Sequence, residues 1–431
     1  MKKVLIPAAA AVACGCIGLA FVAGCVISNG VDFVHSIAQN EKAVRTENHA
    51  LELAEAGTLE ISLSAGDVVV RADSLGTPEV AAAITAYGKD ADAAKKALDD
   101  TRLVVERTST GARIELAGEP VEQRASGIRV VSRPRADLEL RIPKDVRLVI
   151  SVASGDIRTH GPIGASKLTS SYGDLNVEKA KGDLVLQSSS GKVEVGELRE
   201  AQNLDARSGY GDVRARLVEA SAVKLSSSSG SVHLEDATCT RVELQSSYGD
   251  VVARRLRGDL VAKTSSGDVR LEDVQGAELR LSSGYGDVDV RTARGDLAAN
   301  TSSGDIVLAG FEGSCELASG YGDVRAEGRL ERASGRSNSG SVRIRALPGS
   351  QLASDWKLQS GYGDVALTLP STISFELAAR TGYGTLDLQV PITVAAGGLK
   401  DKRAVQGRVG DGGRRIELGT SSGDVHLARQ D

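Results

Sequence analysis

The sequence predicts an all-β protein, a β-solenoid (β-helix-like) stack of strand-turn-strand units of about 18–19 residues, with a small α/β insert near its start. Three observations carry this. A glycine-centred turn, Ser-Gly-Asp or Tyr-Gly-Asp, recurs at Asp156, Asp174, Asp212, Asp250, Asp268, Asp287, Asp305, Asp323, Asp364 and Asp424. Lys192, Ser231, Ser341 and Thr385 fill the same slot elsewhere, and an isolated Ala-Gly-Asp precedes the array at Asp67. With that slot as zero, apolar residues fall at −8, −6, +1 and +3, as in Leu279, Leu281, Val288 and Val290, or Leu59, Ile61, Val68 and Val70. Helical spacing is absent from the array.

Within one unit, a spacing of two is strand alternation, with one face buried and one wet. The odd step from −6 to +1 would flip the face of an unbroken strand. The Gly-Asp and Gly-Ser pairs lie in that step and form the turn. A further apolar residue near +6 (Leu198, Val274, Phe311), followed by Gly276 or Gly313, starts the next bend. Stacked rungs of this kind lie about 4.8 Å apart and pair with the rungs above and below. Because Tyr-Gly and Ser-Gly units alternate, a coil holds either one unit or two. Ladders of identical residues slightly favour two.

Met1-Lys2-Lys3 followed by an apolar stretch to Gly24 reads as an export signal. Val22-Ala23-Gly24-Cys25 has the form of a lipobox, in which a cut before Cys25 leaves a cysteine that carries lipid; Cys14 and Cys16 have poorer flanks. An uncleaved membrane helix over Val4–Ile27 is the alternative. Both place the remainder outside the cytoplasm, membrane-anchored, at the outer membrane, the periplasm or the cell surface. Val26 is not the Asp of inner-membrane retention, which points to outer-membrane sorting in a two-membrane cell.

The expected organisation is a lipoprotein signal peptide over 1–24, a tether over 25–57, an N-terminal β cap with its α/β insert over 58–147, and the solenoid over 148–431. A short helix over 43–56 fits the tether. Inside the cap, Val80–Tyr87 reads as a strand, Asp90–Thr101 as a helix, and Leu103–Arg107 with Ile114–Leu116 as a hairpin. The cap shields the first edge of the solenoid from pairing with other chains. Residues 391–413, rich in glycine, read as an irregular loop before the last unit.

The formal charge is −5, with no basic stripe, so nucleic acid is a poor partner. Of the later cysteines, Cys315 falls at a core slot and Cys239 in a loop. Four units separate them, roughly 10–19 Å along the stack at 4.8 Å per rung. That is too far for a disulfide, and two inert thiols are expected.

The order of features resembles the bacterial "putative adhesin" family of β-repeat proteins, a domain family of unknown function. The features are the export segment, the Gly-Asp-Val strand pair, the α/β insert, Leu-Arg-Ile-Pro-x-x-Val-Arg-Leu at Leu140–Leu148 and the Ser-Gly-Asp-Ile units. The resemblance covers about residues 57–431. It implies an extracytoplasmic β-solenoid and brings no catalytic residues.

Seven tyrosines sit in the turns: Tyr172, Tyr210, Tyr248, Tyr285, Tyr321, Tyr362 and Tyr383. They form either a binding ladder that stacks on glycan rings or a packing element, since position −2 is in phase with the inward −8 and −6. Phase favours packing. The Asp ladder invites a calcium reading. Here, however, Gly meets Asp directly and Lys, Ser or Thr replaces Asp freely, so turn chemistry is preferred and no metal or cofactor is expected. Polysaccharide-active β-helices gather carboxylates beneath long loops. This chain has short loops, and its five histidines share no motif. The sequence therefore reads as a non-enzymatic envelope protein that binds an unknown glycan or envelope protein. An envelope scaffold or stress-associated protein is the alternative, and a polysaccharide-active enzyme the more distant one.

Overall fold

The structure, a computed structural model, describes residues 41–73, 76–125, 128–394 and 402–430. It is β throughout apart from one short helix, and its strands stack as a β-solenoid. The signal segment and Cys25 lie outside the described residues. Contacts divide the chain into two compact units. One runs to Gly161 and includes Leu168–Leu175; the other holds Pro162–Lys167 and Asn176–Asp431.

In the first unit, the coil around Asp67 consists of strands Thr58–Leu63 and Val68–Ala72. On one side it pairs in parallel with Arg147–Val152 and Ile157–His160. On the other it pairs with Gly111–Ala117 and Arg135–Ile142, two strands that are not consecutive in the chain but complete one further coil around Asp137. The outer coil is then covered by antiparallel strands. Arg102–Arg107 lies along Gly111–Ala117, Glu79–Gly88 along Arg135–Ile142, and Glu41–Ala50 along Glu79–Gly88. The helix Ala91–Asp99 starts where the Asp90 carboxylate accepts the Ala93 N–H at 2.8 Å, and it buries Ala94 and Leu98. Glu41–Ala50 corrects two expectations, the tether to residue 57 and the helix over 43–56. The strand is polar at alternate positions and buries no residue fully, so its sequence carries no apolar period. Pairing along all ten residues defines it.

In the second unit each coil holds one repeat. Val269 pairs with Val288, Val288 with Ile306 and Ile306 with Val324, so adjacent coils are neighbours one unit apart in sequence. The preference for two units per coil is overturned: Tyr-Gly and Ser-Gly turns sit on alternate coils. The reason is geometric. The bend after +3 is tight enough to return the chain within a single unit. That bend is made at +5 by residues with positive φ, namely Leu217, Asp236, Arg255, Asp273, Thr292 and Gly310. Five of the six are not glycine, so no glycine marks the corner in the sequence. Side chains at +1, +3, +6, −8 and −6 fill the core, as in the Leu260–Leu279–Leu297–Cys315 row. Cys239 is also buried, within strand Val232–Ser246, and not in a loop.

The coils do not follow chain order at the C-terminal end. Trp356–Ser360 pairs with Arg415–Thr420, which in turn pairs with Phe375–Thr381. Val365–Pro370 pairs with Val425–Gln430, which in turn pairs with Leu386–Leu388. The last unit of the chain is thus inserted between the two units that precede it. Ala404–Val409, expected to be loop, is a strand that lies antiparallel along Phe375–Arg380 and covers the end.

Candidate functional surface

The turn recurs on the coils of the second unit, and its chemistry starts from three columns of residues. The first, at −4, is Ser or Thr throughout. Ser283 Oγ donates to the Gly267 carbonyl of the preceding coil and accepts the N–H of Gly286 in its own turn, both at 2.9 Å. Thr301 and Ser319 repeat the arrangement. Each hydroxyl therefore closes its own turn and ties it to the preceding coil. The second column is the glycine at −1. A Cβ on Gly286 would lie 2.1 Å from the Gly267 carbonyl oxygen, so close stacking, and not positive φ, excludes other residues.

The third column is the Asp slot. Asp268 Oδ1 accepts the Asp287 N–H at 2.9 Å, and Asp287 Oδ1 accepts the Asp305 N–H at 2.8 Å. In the first unit the ladder runs from Asp137 to Asp67, Asp156 and Asp174, with bonds of 2.8–2.9 Å. Turn chemistry thus holds, with the amide supplied by the neighbouring coil. Ser231 can substitute because its Oγ accepts the Asp250 N–H at 3.3 Å. Where position +2 is arginine the remaining carboxylate oxygens face it, with Arg270 between Asp250 and Asp268 and Arg325 between Asp305 and Asp323; after Asp287, Asp364 and Asp424 that position is Asp289, Ala366 and His426. Burial by itself would raise the Asp250 pKa. The Asp268 N–H and Arg270 outweigh it and hold the carboxyl below its ordinary range.

Position −2 points the other way. Tyr210, Tyr248, Tyr285, Tyr321, Tyr362 and Tyr383 are 65% to 82% exposed. They do not fill a corner, which corrects the packing expectation. Four turn residues separate inward −4 from inward +1, so the two-residue alternation that put −2 in phase does not persist through the turn. Tyr172, in the first unit, is half-buried. In spatial order the −2 column of the second unit reads Ser190, Tyr210, Ser229, Tyr248, Ser266, Tyr285, Ser303, Tyr321, Ser339, Tyr362, Ser422 and Tyr383. Along the chain, by contrast, the Tyr362 and Tyr383 units are consecutive. Insertion of the last unit, with Ser422, restores strict alternation. Arg403 lies 5.9 Å from the Tyr383 ring centroid and donates to the Gly382 carbonyl.

Other reactive groups do not converge. Among the described residues no group of three or more His, Cys, Asp or Glu could hold a metal ion. Burial lowers the pKa of His233, which sits at +2 beside Arg214. Burial also pushes the Cys239 thiol up to about 11 and the Cys315 thiol up to about 12, and neither forms a disulfide. Among the described residues no helix is long and apolar enough to cross a membrane. The −4 hydroxyl column was missed in the sequence. Its signal was a Ser or Thr at −4 in every unit from Asp174 onward, where the units at Asp67 and Asp156 carry Leu63 and Val152.

No curated protein matches the sequence. Crystal structures with some similarity include the following three. One, described as a "putative cell adhesion protein" from Clostridium sporogenes, is 8% identical, with 90% of this chain and 100% of that chain covered and a TM-score of 0.17. A "putative adhesin" from Bacteroides fragilis is 15% identical, with 71% and 98% covered and a TM-score of 0.22. A "putative lipid binding protein" from Parabacteroides distasonis is 13% identical, with 74% and 94% covered and a TM-score of 0.23. The profile of the family described as Toastrack DUF4097 matches residues 57–296 and again 254–428. With nearly all of the coil-forming sequence matched in this way, the chain belongs to the Toastrack DUF4097 family.

Proposed function

We propose that the chain is a non-catalytic binding protein of the cell envelope, anchored through lipid on Cys25, and that the tyrosine column is its binding surface. One observation carries this reading: the spatial, and not the chain, order of coils keeps six exposed tyrosines in strict alternation with serine. Tyrosine joins an apolar ring to a polar hydroxyl and is enriched at interfaces. Each ring offers one weak contact, and a fixed array of equivalent contacts gains strength through multivalency.

Two experiments test it. Palmitate labelling and membrane partition should be lost in Cys25→Ala, and unchanged labelling removes the anchor. Retention of the purified protein on isolated envelope material should fall when Tyr248, Tyr285 and Tyr321 are together replaced by Ser. Full retention by that variant removes the column as the binding surface.

A further inference from the structure

Building on the reading of the tyrosine column as a binding surface, the geometry points to its ligand: we propose a linear, neutral, β-1,4-linked glycan lying along the column, with every second sugar on a tyrosine. Three features of the column lead there.

The first is pitch. Adjacent coils lie about 4.8 Å apart, so tyrosines on alternate coils recur every ~9.6 Å and the six span about 50 Å. Rings that far apart are beyond the roughly 4.5–7 Å centroid distance of aromatic pairs, so the tyrosines do not satisfy one another. In a β-1,4-linked chain of pyranoses each sugar is turned by about half a turn from the last. The same ring face therefore returns at every second sugar, over a length close to two coil spacings. A ligand with that repeat meets each tyrosine in the same way, whereas α-1,4-linked chains curl away from a straight column.

The second is charge. At −3 and −2 the turns of this unit carry only Ser, Gly, Asn and Tyr, for example Ser265 and Ser266, Gly284 and Tyr285, or Asn338 and Ser339. In the neighbouring Asp slot each carboxylate accepts the amide of the next coil, and those of Asp250, Asp268, Asp305 and Asp323 are also paired with arginine. The side chains of the −3 and −2 column are thus hydroxyls and rings without a charge among them, and among the described residues the only cation placed on a ring is Arg403 at the end tyrosine, Tyr383. Such a strip is complementary to a neutral polyol more than to a polyanion or a basic peptide. Ser229, Ser266, Ser303 and Ser339 lie between the rings and supply hydroxyls to the intervening sugars.

The third is the threading of the C-terminal coils. A repeat that merely copied a double unit would alternate along the chain. Here alternation is broken along the chain and present only in space, where Ser422 separates Tyr362 from Tyr383. The pitch is therefore a property of the surface.

The test uses the full chain, with chitohexaose and cellohexaose as probes, maltohexaose as the α-linked control, and vesicles of phosphatidylethanolamine and phosphatidylglycerol as the membrane control. Calorimetry should show binding of one or both β-1,4 hexasaccharides and none of maltohexaose. Replacing Tyr248, Tyr285 and Tyr321 by Ser should weaken it by at least about tenfold. The decisive variant pairs Tyr285→Ser with Ser303→Tyr, which keeps the number of rings and moves one by a single coil. Both positions are exposed, so circular dichroism and melting should match the wild type. The proposal expects this variant to lose several-fold in affinity. Undiminished binding by the shifted variant overturns the register. Equal binding of maltohexaose, or tyrosine-dependent binding of the vesicles in place of the sugars, overturns the ligand class. Absence of sugar binding alongside tyrosine-dependent retention on envelope material would overturn this proposal and leave the binding surface standing.

Discussion

Replacing Ser283 by Ala removes one hydroxyl and adds nothing that needs room. The side chain is 3% exposed and makes two hydrogen bonds of 2.9 Å, one to the Gly267 carbonyl and one from the Gly286 N–H. Gly267 is buried, so its carbonyl loses its hydroxyl partner where water does not reach. Gly286 is half-buried, and water replaces part of what its N–H loses. With about 1–3 kcal/mol for an unsatisfied buried group and about 1 kcal/mol for a solvated one, the expected cost is about 2–4 kcal/mol. Ser283→Thr should stay within about 1 kcal/mol, since Thr264 and Thr301 make the same bonds in neighbouring coils. Ser282→Ala, which removes an exposed bond to Asn300, should change stability by less than about 0.5 kcal/mol. Urea denaturation measures the three variants. Because a repeat stack can open in part, exchange of the Gly286 amide should be followed alongside it. A Ser283→Ala protein within about 0.5 kcal/mol of wild type, with its Gly286 amide still protected, would refute the claim that the −4 hydroxyl ties coil to coil.

Leu279, fully buried between Leu260 and Leu297, should not tolerate charge. Leu279→Asp is expected to cost at least about 4 kcal/mol in urea melts, and Arg280→Gln on the outer face less than about 1 kcal/mol; the reverse order would mean the faces are misassigned. Both thiols should resist a disulfide reagent at pH 8 in the native protein and react once it is unfolded, because burial holds the pKa of Cys239 at about 11 and that of Cys315 at about 12. Rapid native labelling of either would contradict its place in the core. The Asp250 carboxyl has a folded pKa below its ordinary 3.8, so its stabilisation is present above that value and lost as pH falls through the folded value. Asp250→Asn should therefore flatten the stability profile below about pH 4, and an unchanged acid limb would count against the ladder.

Much of this was legible in the residues. The period and the apolar phases −8, −6, +1, +3 and +6 follow from local spacing, as does the placing of Asp in the turn, although the amide its carboxylate accepts belongs to the neighbouring coil. The parts that were not legible depend on contacts distant in sequence. Nothing near Asp424 indicates that its coil lies between those of Asp364 and Thr385, because parallel pairing of Val365 with Val425 and of Leu386 with Val425 decides it. The number of units per coil turned on a corner made by Leu217, Asp236, Arg255, Asp273 and Thr292, residue types that give no turn signal together. The strand Glu41–Ala50 lacks an apolar period because both of its faces are polar or half-exposed. The tyrosines were placed by a phase that holds along strands and fails across a four-residue turn. Their exposure, which makes them a candidate surface, emerged only from the coil geometry.

The central claim is that binding resides in a column of equivalent tyrosines and in no single catalytic residue. Retention on insoluble β-1,4-glycan, measured for a series in which Tyr210, Tyr248, Tyr285, Tyr321, Tyr362 and Tyr383 are replaced by Ser one after another, tests it most directly. The account predicts a graded fall with each ring removed, steeper for central than for terminal positions, with melting temperature unchanged. Loss of all retention on the first substitution at one position, or full retention after the last, would contradict it.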